Sequence, residues 1–150
     1  MYTVRFQLEL SGSEKRFLSK SFFYANQMHN QLVQYATNRL NALFHDTEYV
    51  DARKAYGEAE FSKKKGSELS ASEKKKKKEL SNIMCIKQKE YNLTKTSLCK
   101  FVSKDQKKYK NYINSHQAQA EAEAVYKGVE KVLFEDGRHL HYRRDNSFDC

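Results

Sequence analysis

The stretch that decides the fold is SGSEKRFLSKSFFYANQMHNQLVQYATNRLNALF, residues 11–44. Within it Leu18, Phe22, Ala25, His29, Leu32, Val33, Ala36, Leu40 and Leu43 fall within one helical stripe. That is the face an α-helix turns toward a core. Ser11, Gly12 and Ser13 supply a turn and an N-cap, and Glu14 complements the positive end of the helix dipole. At 1.5 Å per residue such a helix is about 45 Å long, more than the diameter of a small domain. The stretch therefore predicts a projecting helical lobe.

Upstream, Tyr2, Val4, Phe6, Leu8 and Leu10 alternate with Thr3, Arg5, Gln7 and Glu9. A period of two predicts a half-buried strand. Downstream, a break is expected over 45–49, a short helix over 50–61 and a Ser- and Lys-rich loop over 62–72. Ser72 can cap a helix over 73–91, and Asn92 can stop it in the left-handed conformation. Thr94 opens a short helix carrying Leu98, Phe101 and Val102, and residues 104–110 form a basic connector. Ser115 is the expected cap of the last helix, whose stripe is Ala118, Ala122, Val125, Tyr126, Val129, Val132 and Leu133. Asp136 and Gly137 read as a hairpin-type turn into a second short strand holding His139, Leu140, His141, Tyr142 and Arg143. The expected fold class is α+β, mostly α-helical, and a single module. It has a strand over 1–10, an elongated helical lobe over 11–134 and a return strand over 138–145, the two strands suited to antiparallel pairing.

Lys and Arg number 28 against 19 acidic residues, a net charge of +9, and the pI is near 9.4. Such a surplus attracts polyanions and points to RNA or DNA as partner. Pro is absent and Gly occurs only 5 times, which favours long helices, while a mean hydropathy of −0.92 implies a thin core. Cys85, Cys99 and Cys150 form no CxxC pair, which fits a reducing, cytoplasmic setting rather than a disulfide framework or zinc ribbon. No apolar run approaches the roughly 20 residues of a membrane span, and the N-terminus is not patterned as a signal peptide.

The side of the first helix opposite its apolar stripe carries Arg16, Lys20, Gln27, Asn30, Gln31, Gln34, Asn38 and Asn41, with Phe23 among them. Neutral amides suit hydrogen bonding to phosphates, sugars and base edges, and an aromatic there suits base stacking. A plain polar surface with one stray aromatic is the competing reading. Lys74, Lys75, Lys76, Lys77 and Lys78 cover all sides of a helix. They are suited to counting phosphates rather than reading sequence, or to no more than keeping the helix solvated.

Catalytic chemistry finds no support. His139 and His141 share one strand face without the third ligand a catalytic metal needs, and His29 reads as a core-edge histidine with a satisfied ring nitrogen. Glu121, Glu123 and Glu130 lie on a helix rather than converging as a two-metal site requires. Gly-rich phosphate loops, a GxSxG elbow and a Cys/His dyad are also missing. The chain is expected to have no catalytic activity of its own, no cofactor, no metal and no small-molecule substrate.

The run Tyr109-Lys110-Asn111-Tyr112-Ile113-Asn114-Ser115-His116-Gln117-Ala118-Gln119, followed by Val125-Tyr126-Lys127-Gly128-Val129-Glu130-Lys131-Val132-Leu133-Phe134, resembles the TnpB/OrfB family. These are transposon-encoded RNA-guided DNA nucleases, relatives of the type V CRISPR effectors. Gly137 and the stretch Leu140-His141-Tyr142-Arg143 stand where that family has a turn and a short basic strand, although Gly128 replaces a more usual helix former. The resemblance covers the family's N-terminal wedge and recognition part. The RuvC-like nuclease domain and zinc element have no counterpart in this chain, and a remaining nuclease portion is an expected partner. The resemblance implies a piece of a lobe that binds guide RNA or an RNA–DNA heteroduplex. The nucleic-acid contacts it points to are Arg16, Lys20, Phe23, Gln27, Asn30, Gln34 and Asn38, with the five lysines at 74–78 on the backbone. A helical module docking on an acidic protein, or a non-functional remnant, are the rival expectations.

Overall fold

The computed structural model describes residues 9–64, 70–135 and 137–144 of the chain. Five α-helices account for most of them: α1 (Gly12–His45), α2 (Thr47–Lys64), α3 (Ala71–Glu90), α4 (Lys95–Gln106) and α5 (Ser115–Phe134). One 3-10 turn, Lys107–Tyr109, follows α4. Helix α1 is the spine. It packs along α4 and α5, which pack on each other, while α2 and α3 pair beyond its C-terminal end.

The helix ends follow from side-chain chemistry. Ser11 and Glu14 form a reciprocal capping box on α1, Ser70 and Glu73 on α3, and Asn114 and Gln117 on α5. Each satisfies two N–H groups that a helix start leaves without partners. The caps of α3 and α5 thus fall on Ser70 and Asn114, rather than on Ser72 and Ser115. In both cases the Glu or Gln three residues further on selects the cap. Asn92 does take the left-handed conformation, with φ 57°. Its N–H reaches the Lys89 carbonyl and that of Leu93 the Gln88 carbonyl, a Schellman ending that drives Leu93 into the core.

The break after α1 is narrower than the sequence predicts, one residue wide. Asp46 ends α1 with extended backbone and accepts the Tyr49 N–H at 3.1 Å, which starts α2 without a loop. Its other carboxylate oxygen takes the Lys87 ammonium at 3.1 Å and the Tyr91 hydroxyl at 3.0 Å. One acid therefore turns the chain and pins the far end of α3 to the turn.

The core is one cluster. It takes Leu32, Val33, Ala36, Leu40 and Leu43 from α1, Leu98 and Val102 from α4, and Ala122, Val125 and Val129 from α5, all buried. The predicted stripes of α1 and α5 face it, with two exceptions. Leu18 and Phe22, near the N-terminal end of α1, remain 36% and 44% exposed.

The α+β expectation is corrected. Among the described residues there is no strand, and the fold is helical throughout. The N-terminal strand falls almost wholly on residues 1–8, outside the described residues. At the other end residues 137–144 run without helix or ladder across the face where α1 meets α5. Leu140 is buried there, against Gly128 of α5. A Cβ on Gly128 would sit 3.0 Å from the Leu140 Cδ2, which accounts for a glycine in mid-helix. Gly137, expected in a hairpin turn, instead folds over the end of α5. Its N–H reaches the Lys131 carbonyl, and a Cβ would lie 2.8 Å from that residue's carbonyl carbon.

The seat of Leu140 can be tested by a double-mutant cycle. Replacing a helix-interior glycine by alanine ordinarily gains about 1 kcal/mol. Gly128→Ala should give that gain in urea denaturation only when Leu140→Ala is also present, and clearly less with Leu140 intact. Equal gains in both backgrounds would mean that Leu140 does not rest on Gly128.

Candidate nucleic-acid interface

Helix α1 brings Arg16, Lys20, Phe23, Gln27, Asn30, Gln34 and Asn38 onto one side, as the sequence predicts, and the structure divides that side in two. At its N-terminal half Arg16 and Lys20 are exposed. Phe23 is 46% exposed and packs edge-on against Tyr24, with ring centroids 5.5 Å apart. Gln27 is half-buried.

At the C-terminal half the amides hold the chain's own segment. The Asn30 carboxamide donates to the Arg143 carbonyl and accepts the Arg143 N–H, each at 2.8 Å. Gln34 accepts the Tyr142 hydroxyl at 2.7 Å and donates to Asn38 at 3.0 Å. Periodicity finds such a face but does not tell whether its partner is a foreign polymer or a neighbouring peptide.

Beneath this clasp lies a polar knot. Glu121 of α5 takes the His29 ring N–H at 2.9 Å and the Arg143 guanidinium at 2.7 Å. Burial pushes the Glu121 carboxyl up, but these hydrogen bonds and charges outweigh it and hold its pKa below the ordinary value. His29 is buried with a bonded ring nitrogen, as the sequence predicts.

Tyr109 of the basic connector and Tyr112 just after it meet α1 near Phe17. Tyr24 stacks on Tyr109 at 4.7 Å and leans on Tyr112 at 5.0 Å, while Phe17 lies 5.7 Å from Tyr112. The Lys20 ammonium stands 6.0 Å over the Tyr112 ring, a cation–π distance. Lys107, Lys108 and Lys110 are exposed beside these rings. Beside this cluster opens a cavity of about 720 Å³, walled by Phe17, Phe22, Tyr112 and Ile113 and reaching Asn26, Glu121 and Arg143. The sequence reading passed over it. Its signal was Asn26, a polar residue bordering the apolar stripe, together with the Tyr109 and Tyr112 pair in a basic run.

The five lysines fill the first two turns of α3, well apart along the chain from the α1 face. Lys74, Lys75, Lys76 and Lys78 are exposed, and Lys77 lays its ammonium 5.0 Å over the Tyr56 ring of α2. His139 and His141 do stand together, with rings 4.7 Å apart. Among the described residues no group of three or more His, Cys, Asp or Glu is placed to hold a metal, and no helix is long and apolar enough to cross a membrane. Comparison with protein-family profiles, curated proteins and solved structures gave no match for this chain.

The knot makes a pH-dependent prediction. A carboxylate with a depressed folded-state pKa contributes stability that is present above its unfolded value, here near 4.5, and lost as pH falls through the folded value. Glu121→Gln should therefore cost about 1–3 kcal/mol in urea denaturation at pH 7. The gap to the native chain should narrow steadily below pH 4.5. A gap that does not change with pH would mean that the charge on Glu121 contributes nothing.

Proposed function

We propose that this chain is a nucleic-acid-binding module that holds RNA, or an RNA–DNA duplex, by its phosphate backbone. The observation that carries the reading is how its charges are distributed. Several of its acids are spent on ion pairs within the chain. Asp46, Glu48 and Glu90 close on Lys87, Asp105 on Lys108, Glu123 on Lys95, and Glu121 on His29 and Arg143. Lys74, Lys75, Lys76 and Lys78 face solvent with no salt bridge among the described residues, so much of the +9 surplus points outward.

The placement of those lysines is unfavourable to the protein alone. They crowd the positive end of the α3 dipole, where Glu73 is the one acid of the first turn, and Lys74 and Lys78 repel across one turn. A polyphosphate relieves both costs and releases counterions as it binds. The exposed Phe23 and the Tyr109 and Tyr112 cluster, flanked by Lys20 and Lys110, add stacking surface to the basic one. The module acts by binding rather than by catalysis. It is the kind of part that the wedge and recognition region of a TnpB/OrfB-type protein supplies, and in that setting Arg16, Lys20, Phe23 and Gln27 meet the nucleic acid directly. Asn30 and Gln34 act through the segment they hold.

Replacing Lys74, Lys75, Lys76 and Lys78 together by Ala, and leaving Lys77 on Tyr56, tests this. Affinity for structured RNA and for duplex DNA should fall alike. The slope of log affinity against log salt should flatten by at least about one, since each phosphate neutralised contributes roughly 0.7–0.9. An unchanged slope would show that these lysines touch no phosphate. Tighter binding of an acidic peptide than of RNA by the native chain would favour the protein-docking reading.

A further inference from the structure

Asn26 is the one described residue whose buried side chain breaks the rules of a satisfied interior. It is 2% exposed, and its amide nitrogen Nδ2 has no hydrogen-bond partner. Buried polar groups are nearly always paired, because an unpaired one loses its hydration and gains nothing in return. Its place supplies the explanation. Asn26 borders the cavity of about 720 Å³ between α1 and the 110–121 region, within the size range of ligand sites.

The walls of the cavity are aromatic and open to solvent. Phe17 and Phe22 are 50% and 44% exposed, and Tyr112 closes the opposite side. Its rim is cationic. Lys110 and Arg143 line it, and Lys20 stands over the Tyr112 ring. Glu121, the one acid among the lining residues, already holds His29 and Arg143. An occupant that suits all three features is flat, carries a hydrogen-bond acceptor on its edge and is joined to an anion.

We propose that this cavity receives one unstacked base of a single-stranded nucleic acid, whose entry turns the Asn26 carboxamide so that Nδ2, sealed from solvent in the free chain, donates to the base edge, while Lys20, Lys110 and Arg143 face the flanking phosphates. Single-stranded sites elsewhere are built the same way, from aromatic platforms for the base and a basic groove for the backbone. A base in a duplex is held in its stack and cannot enter. The inference rests on the nucleic-acid reading above and adds to it a site that distinguishes single strands from duplexes.

The test uses the full chain and two labelled 12-nucleotide RNA probes followed by fluorescence anisotropy, one with bases and one with abasic residues throughout. The native chain should prefer the probe with bases by about tenfold, in line with one stacked and hydrogen-bonded base. Asn26→Leu should erase that preference while its melting temperature stays equal or rises, because the substitution removes an unpaired buried amide. Phe17→Ala, at a half-exposed position where folding is not at stake, should reduce the preference as well. Salt slopes should not change in either variant. A native chain that binds both probes equally would overturn the base site and leave the phosphate reading standing, as would a preference that survives Asn26→Leu. Native protein that binds neither probe, nor structured RNA or duplex DNA, would overturn the phosphate reading and the base site with it.

Discussion

A single carboxamide, that of Asn30, pairs with both backbone groups of Arg143 and so fixes how the last described segment lies on the helices. It presents a donor and an acceptor side by side, as a peptide unit in a neighbouring strand would. Each of these bonds is worth about 1 kcal/mol net, and their effect extends beyond the pair. With Arg143 held at the backbone, its guanidinium reaches Glu121, and Glu121 in turn fixes His29 of α1. Leu140, three residues back, is then in register to sink against Gly128. Packing of α1 on α5 and placement of the 137–144 segment are thus one arrangement.

That arrangement also explains how far the fold was legible. Helices carry two independent marks in sequence, an apolar period and a cap, and both were present for α1, α4 and α5. Where several caps competed, as with Ser70 and Ser72, the choice lay in the spacing to Glu73 and only the reciprocal bond decided it. The single-residue joint at Asp46 was not legible. Its sharpness comes from Lys87 and Tyr91, some 41 and 45 residues away, closing on one carboxylate. The extended tail was misread as a strand for a related reason. Alternation reports that side chains face opposite ways, whereas a strand also needs a partner backbone. Here the partner is an asparagine side chain.

The candidate site was legible in its charge and only in part in its geometry. The lysines of the run and of the 104–110 stretch are exposed except for Lys77 on Tyr56, although residues 104–106 continue α4 instead of forming a connector. The amide face was legible as a face, yet half of it turned inward to the chain itself, because an amide suits a peptide as well as a base. The aromatic cluster escaped notice because its members are far apart in sequence. Phe17 and Tyr24 come from the start of the chain, whereas Tyr109 ends a connector read for its charge and Tyr112 lies just beyond it, both otherwise noted only within a family resemblance.

Glu121 and Arg143 belong to both structures at once, the knot that seats the tail and the wall of the aromatic cavity. An anion drawn to Arg143 from the cavity side competes with Glu121 for the same guanidinium. The backbone of Arg143 stays tied to Asn30 whichever partner its side chain takes, so the exchange need not release the tail. His29 remains on Glu121 and partly compensates the carboxylate if the guanidinium swings away. Clasping the backbone of Arg143 with a neutral amide leaves Glu121 as the acid an incoming anion must displace, whereas a clasp built from a second ion pair would add another. The choice of Asn at position 30 therefore has a consequence beyond stability: it anchors a cationic residue at the mouth of a cavity without adding a second carboxylate to Glu121, which already holds the guanidinium.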